Sequence, residues 1–115
     1  MVLVRSAGRA TVGIVAVVIV AATVARADVP AAEIRLRDGK FEPSELSVVA
    51  GEPFKLRVVN ESSDTIEFES FGLHRERIVS PGESIEINLQ ALQPGSYDFF
   101  DDFHDDVRPG VIVVK

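Results

Sequence analysis

Between Tyr97 and Gly110 the chain places Asp101, Asp102, His104, Asp105 and Asp106 among Phe99, Phe100 and Phe103. Four carboxylates and an imidazole held that close repel one another and lose solvation unless a cation sits among them. A metal is therefore the first chemistry this stretch suggests, and a solvated acidic turn is the competing reading. The Asp101-x-x-His104 pair also has the form of an acid/base dyad. No Ser/His/Asp or Cys/His nucleophile set accompanies it, and no phosphate-cradling glycine loop is visible, so hydrolysis is disfavoured. The chain contains no cysteine and its one methionine is Met1, which removes thiolate chemistry of every kind.

The elements that must position this loop are short and β-like. Ile34 and Leu36 alternate with Glu33, Arg35 and Arg37, a period of two that marks a half-buried strand. Further strands are predicted at residues 46–49, 54–60, 66–69, 75–79, 85–89, 96–100 and 111–114, separated by turn signals such as Asp38-Gly39, Gly51-Glu52-Pro53, Ser80-Pro81-Gly82 and Pro94-Gly95. Nothing reads as a long helix. Seven or eight short strands with Gly/Pro turns predict an all-β sandwich.

The chain has 115 residues, enough for one domain. Residues 1–27 read as a secretory signal: Arg5 and Arg9 give a positive start, residues 10–24 carry no charge, and Ala25-Arg26-Ala27 fits signal-peptidase cleavage after Ala27. The apolar run is short for a membrane span, which needs about 20 residues. Membrane contact is thus expected only through a partner or an uncleaved signal. Residues 28–32 read as a linker and 33–115 as the domain. Removing residues 1–27 takes away three arginines, Arg5, Arg9 and Arg26, and no acid, so the net charge falls from −6 to −9. An acidic domain without Lys/Arg clusters disfavours nucleic acid or an anionic membrane as partner and suits a cationic ligand. It must also hold together without disulfides.

A resemblance covers residues 33–115. FEPSELSVVAGEPFKLRVVNES, SPGESIEINLQALQPGSYDFF and GVIVVK look like a cupredoxin domain. That likeness implies a Greek-key sandwich with a metal site at one end, built by the loop before the last strand plus a residue from the middle of the chain; the signal segment is expected to precede it as a helix. Blue-copper cupredoxins use a Cys and a His in the loop before the last strand, then a Met, with an earlier His. Here Asp101 stands where the Cys would be, His104 keeps the Cys-x-x-His spacing, no Met follows, and the middle segment supplies glutamates. Without the His₂Cys set a blue-copper electron carrier is not expected. IEFES, RERIVSPG and YDFFDDFH more narrowly resemble the cupredoxin-like periplasmic proteins of bacterial ferrous-iron uptake, the FtrB-type component and the N-terminal domain of EfeO-type proteins.

This narrower resemblance implies a periplasmic protein that binds iron and/or copper and oxidises or delivers Fe²⁺ beside an iron permease or another uptake component. Whether it is a ferroxidase-type oxidoreductase stays open. A non-catalytic metal chaperone and a metal-free interaction sandwich are the alternatives. Oxygen donors with one imidazole suit iron or Cu²⁺ better than Cu⁺. The expected ligands are Asp101 and His104, then Glu67, with Glu69 and Glu76 after them. Glu67 and Glu69 sit opposite Ile66 and Phe68 by strand alternation and could simply face water. Glu76 lies between Arg75 and Arg77 and could form a surface ion pair. Asp102, Asp105 and Asp106 are expected at the rim, His74 on the surface, and Phe41 cannot ligate. A copper titration should give no intense blue thiolate band; such a band in the spectrum would overturn the oxygen-ligand assignment.

Overall fold

The computed structural model describes residue 8, residues 10–22 and residues 29–115. Among the described residues there are nine strands: β1 (Ala31–Arg37), β2 (Lys40–Glu42), β3 (Glu45–Val48), β4 (Phe54–Asn60), β5 (Ile66–Ser70), β6 (Arg75–Val79), β7 (Ser84–Leu89), β8 (Gly95–Asp101) and β9 (Gly110–Val114). They build two sheets, ordered β2-β1-β4-β7 and β3-β9-β8-β5-β6. This is the expected all-β Greek-key sandwich. The three-residue strand β2 was not anticipated, because Lys40–Glu42 is too short for a period to show. Asp38 and Gly39, at φ 51° and 71°, turn β1 back onto it, as an Asp-Gly hairpin does. Strand β1 begins at Ala31, inside the stretch read as a linker, and pairs in parallel with β4 from Ala31↔Lys55 to Leu36↔Asn60.

The expected signal helix is not seen over residues 10–22, which carry no regular structure. That run is dominated by Val, Ile and Thr, whose branched Cβ atoms lower helix propensity. Its side chains are exposed, Ile14 at 90%. The cleavage site Ala25-Arg26-Ala27 lies outside the described residues. Among the described residues no helix is long and apolar enough to cross a membrane.

The inner faces of the two sheets meet in one core that includes Ile34, Leu56, Val58, Ile66, Phe68, Phe99 and Ile112, each 0% exposed. Phe99 is its centre, edge-on to Phe41 at 5.0 Å and stacked on Phe68 at 5.5 Å. Phe41, which cannot ligate a metal, is thus a core residue. Gly110 opens β9 against this ring: a Cβ there would collide with Phe99 and stand 2.9 Å from the carbonyl oxygen of Ser44. Gly110→Ala should therefore lower stability by about 1–3 kcal/mol, the usual cost of overpacking a filled core. A urea midpoint equal to the parent's would refute that close approach.

Candidate metal centre

Asp101 ends β8 on the same face as Phe99, so strand alternation carries its carboxylate inward, where it is 3% exposed. A buried carboxylate is tolerated only when its lone pairs are taken. Oδ1 accepts from the backbone N–H of Glu67 and of Phe103, both at 3.1 Å. Oδ2 lies 2.6 Å from His104 Nδ1. The loop is wound to allow this, with the His104 N–H donating to the Asp101 carbonyl at 3.3 Å and that of Val107 to the His104 carbonyl at 3.3 Å. His104 is raised above its ordinary value of 6.5, chiefly by the hydrogen bond to Asp101. Burial opposes that rise, and the charges of Asp101, Asp64 and Asp106 add to it. Its other nitrogen, Nε2, faces Asp64 Oδ2 at 3.6 Å.

These two residues open onto a cleft of about 330 Å³ that is also lined by Ile66, Asp64, Asp106 and Val107. The residue that β5 presents to this cleft is the fully buried Ile66 and not a glutamate, and Val107, three after His104, is 8% exposed. Both are apolar. Asp101 and His104 are bonded to each other, and the other donors of the cleft are oxygens such as Asp64 and Asp106. The donor set therefore does not fit a blue-copper ion: it offers no sulfur, one imidazole already engaged, and otherwise carboxylates and hydrocarbon.

Glu67, Glu69 and Glu76 meet on the other side of the sheet. Glu69 of β5 is paired with Glu76 of β6, and Glu67 lies two residues along the same face. One carboxylate oxygen from each lies within 4.8 Å of the other two. Glu67 is only 7% exposed, and its carboxyl is pushed up to about 7, first by a hydrogen bond with Glu76, then by burial, then by the charges of Glu76, Asp102 and Glu69. Glu69 is raised as well, by burial and by the charges of Asp102 and Glu76. Glu76 makes no ion pair with Arg75 or Arg77, because neighbours on a strand point to opposite faces. His74, held at φ 54°, lines a shallow hollow with Glu69, Glu76 and Phe71.

The five expected ligands thus fall into two groups on opposite faces of one sheet. Asp101 and His104 come together inside, and Glu67, Glu69 and Glu76 come together outside. The backbone connects them, since Glu67 donates its N–H to Asp101 Oδ1 and accepts at its carbonyl from the Asp102 N–H at 3.0 Å. Asp102 acts on the outer cluster, Asp106 on the inner cleft, and Asp105 is exposed. Asn60 went unnoticed in the sequence. It is fully buried, and its side chain bonds the carbonyls of Asp64 and Val79 and the N–H and hydroxyl of Ser62. It thereby shapes the loop that carries Asp64; the only sequence signal was an Asn closing an apolar strand.

Residues 10–114 match the family model of the cupredoxin-like domain. The chain belongs to this family. It is 46% identical over 84 residues to the uncharacterized protein RP394 of Rickettsia prowazekii (strain Madrid E), a match that covers 72% of this chain and 66% of that protein. The chain thus spans just under two thirds of that relative's length. Among solved structures it resembles a dithionite-reduced auracyanin of Roseiflexus castenholzii at 15% identity and a TM-score of 0.64, covering 78% of this chain and 99% of that one. Auracyanin A of Chloroflexus aurantiacus, described as a "blue" copper protein, gives 16% identity and a TM-score of 0.64, covering 76% and 100%. A purple cupredoxin from Nitrosopumilus maritimus gives 18% and 0.55, covering 73% and 99%. At these identities the likeness to solved structures is one of fold.

The pH dependence follows from the shifted groups. Glu67 titrates at about 7 when folded against an ordinary 4.5, so its ionisation costs stability, progressively from about pH 4.5 to 7 and fully above. His104, raised when folded, contributes stability below its ordinary 6.5 that is lost as pH climbs through its higher folded value. Both effects make the cation-free domain less stable at pH 8 than at pH 5. Glu67→Gln should be stabilising at pH 8 and near neutral at pH 4.5, checked by denaturation midpoints. A difference from the parent that does not vary with pH would contradict the assignment to Glu67.

Proposed function

We propose that this chain is a periplasmic cation-binding cupredoxin-like protein that takes Fe²⁺ as cargo at Glu67, Glu69 and Glu76 and oxidises it or hands it on for import by an iron permease. The observation that carries this reading is the convergence of three carboxylates within 4.8 Å, with Glu67 forced to about 7. Their mutual repulsion is what a bound cation would relieve. An all-oxygen anionic set selects hard ions, and it stabilises Fe³⁺ more than Fe²⁺, which favours loss of an electron to an acceptor such as O₂ or Cu²⁺. The acidic balance of residues 28–115 would concentrate cations near the domain. The charged start, the apolar run and Ala25-Arg26-Ala27 support export.

One observation favours a different reading, a metal-free interaction sandwich. Phe71 and Ile78 are 72% and 61% exposed beside the same carboxylates, and Phe71 packs on Phe100 at 5.3 Å. Anaerobic titration with Fe²⁺ separates the two. Cation binding should raise the melting temperature and should release protons at pH 6 but few at pH 8, because Glu67 is already ionised there. Glu67→Gln, Glu69→Gln and Glu76→Gln should each weaken binding at least about tenfold, as loss of a ligand does. Binding unchanged in all three variants, or absent in the parent, would favour the interaction reading. Oxygen uptake by the loaded parent then tells oxidation from simple delivery.

A further inference from the structure

We infer that Asp101 is a positioning residue for the cation site on the opposite face of the sheet. This rests on reading Glu67, Glu69 and Glu76 as that site. The side chain of Asp101 is fully buried, and both of its oxygens are hydrogen-bonded. Oδ1 takes two backbone N–H groups, from Glu67 and Phe103. Oδ2 takes the His104 imidazole at 2.6 Å. A cation reaching the buried Oδ2 from the cleft meets the imidazole first, and among the described residues neither Asp64 nor Asp106, the acids beside them in the cleft, joins Asp101 and His104 in a group of three donors within 4.8 Å. Metal sites need three or more protein donors or waters around the ion. The inner cleft carries further acids, Glu61, Asp64 and Asp106, but among the described residues no three of its donors converge within 4.8 Å.

The same bonds fix the outer site. The peptide N–H of Glu67 is held by the Asp101 side chain and its carbonyl by the Asp102 N–H at 3.0 Å. Two consecutive residues thus clamp both polar groups of Glu67, and the direction of its side chain follows from that clamp. The ladder between β5 and β8 contains only two register pairs, Phe68↔Asp101 and Glu69↔Phe100, so little else holds Glu67 against β8. Hydrogen-bond partners of this supporting kind change metal affinity by about 10–100-fold when removed.

The test uses Mn²⁺ affinity by calorimetry and the electron paramagnetic resonance spectrum of bound Cu²⁺. Glu67→Gln should abolish Mn²⁺ binding. Asp101→Ala should weaken it by about 10–100-fold, whereas Asp101→Asn, whose carbonyl oxygen can still accept both N–H groups, should restore it close to the parent. The Cu²⁺ spectrum of the parent should be unchanged by His104→Gln. The inference is overturned if Asp101→Asn binds as poorly as Asp101→Ala, if Asp101→Ala binds like the parent, or if nitrogen coupling in the parent spectrum vanishes in His104→Gln. Intact Mn²⁺ binding in Glu67→Gln would instead remove the outer site itself. Should Asp101→Ala not fold, the Asn variant and the parent spectrum still decide.

Discussion

A carboxylate taken out of water has to find its hydrogen bonds in the protein, and Asp101 finds them at the thinnest seam of the fold. Strands β5 and β8 share only two register pairs, yet they join the β3-β9-β8 half of the large sheet to the β5-β6 half. Side chains brace the seam at both ends. Asp101 ties the start of β5 at Glu67, and Ser70 at the end of β5 donates its hydroxyl to the Asp98 carbonyl at 2.7 Å. Hydrogen bonds to a charged acceptor are roughly twice as strong as neutral ones. The Asp101 end is therefore the firmer of the two, and it is the end where the ionisable residues gather.

That arrangement puts two sets of acids under opposite conditions. On the inner face Asp101 has two amides and an imidazole, and no buried side-chain polar atom among the described residues lacks a partner. On the outer face Glu67, Glu69 and Glu76 have mainly one another, and Glu67 is pushed up to about 7 by its hydrogen bond with Glu76, by burial and by the neighbouring charges. A satisfied network rigidifies its surroundings, whereas an uncompensated one stores free energy that a ligand can release. The sheet between them is one strand thick. Electrostatic frustration on one side is thus held in place by electrostatic satisfaction on the other.

Much of this was legible in the residues, and the limits have physical causes. Period-two alternation located eight of the nine strands and already put Glu67 and Glu69 opposite Ile66 and Phe68, because side-chain direction in a strand is a local property. The spacing Asp101-x-x-His104 brings those two side chains together, since a three-residue offset in a tight loop is also local. The partner of Glu69 was not legible. That Glu76 faces it depends on the β5–β6 register, which the turn at Phe71–His74 sets through a left-handed His74. Nor could the chain alone reveal that the apolar Ile66 and Val107 stand with Asp101 and His104 in the inner cleft, because that follows from packing of a sheet against a loop. The acidic loop drew attention for its charge density, although much of its charge is either bonded inward or solvated.

On the proposed reading, the geometry of the outer cluster bears on what such a site is for. Three carboxylates from two adjacent strands cover one side of an ion and leave the other side to water or to a second protein. Hard six-coordinate cations keep waters readily under such conditions. Glu76 and Phe71 at the rim are exposed, so among the described residues no loop closes over the cluster as the loops of a buried centre would. An enclosed site retains its metal, whereas an open half-shell exchanges it and presents the ion to whatever docks beside it. The exposed Phe71 and Ile78 then acquire a use that a purely internal metal centre would not need: apolar area next to a half-coordinated cation is where a receiving surface can bind and complete the coordination sphere. The same features that favour an interaction face therefore fit delivery better than storage.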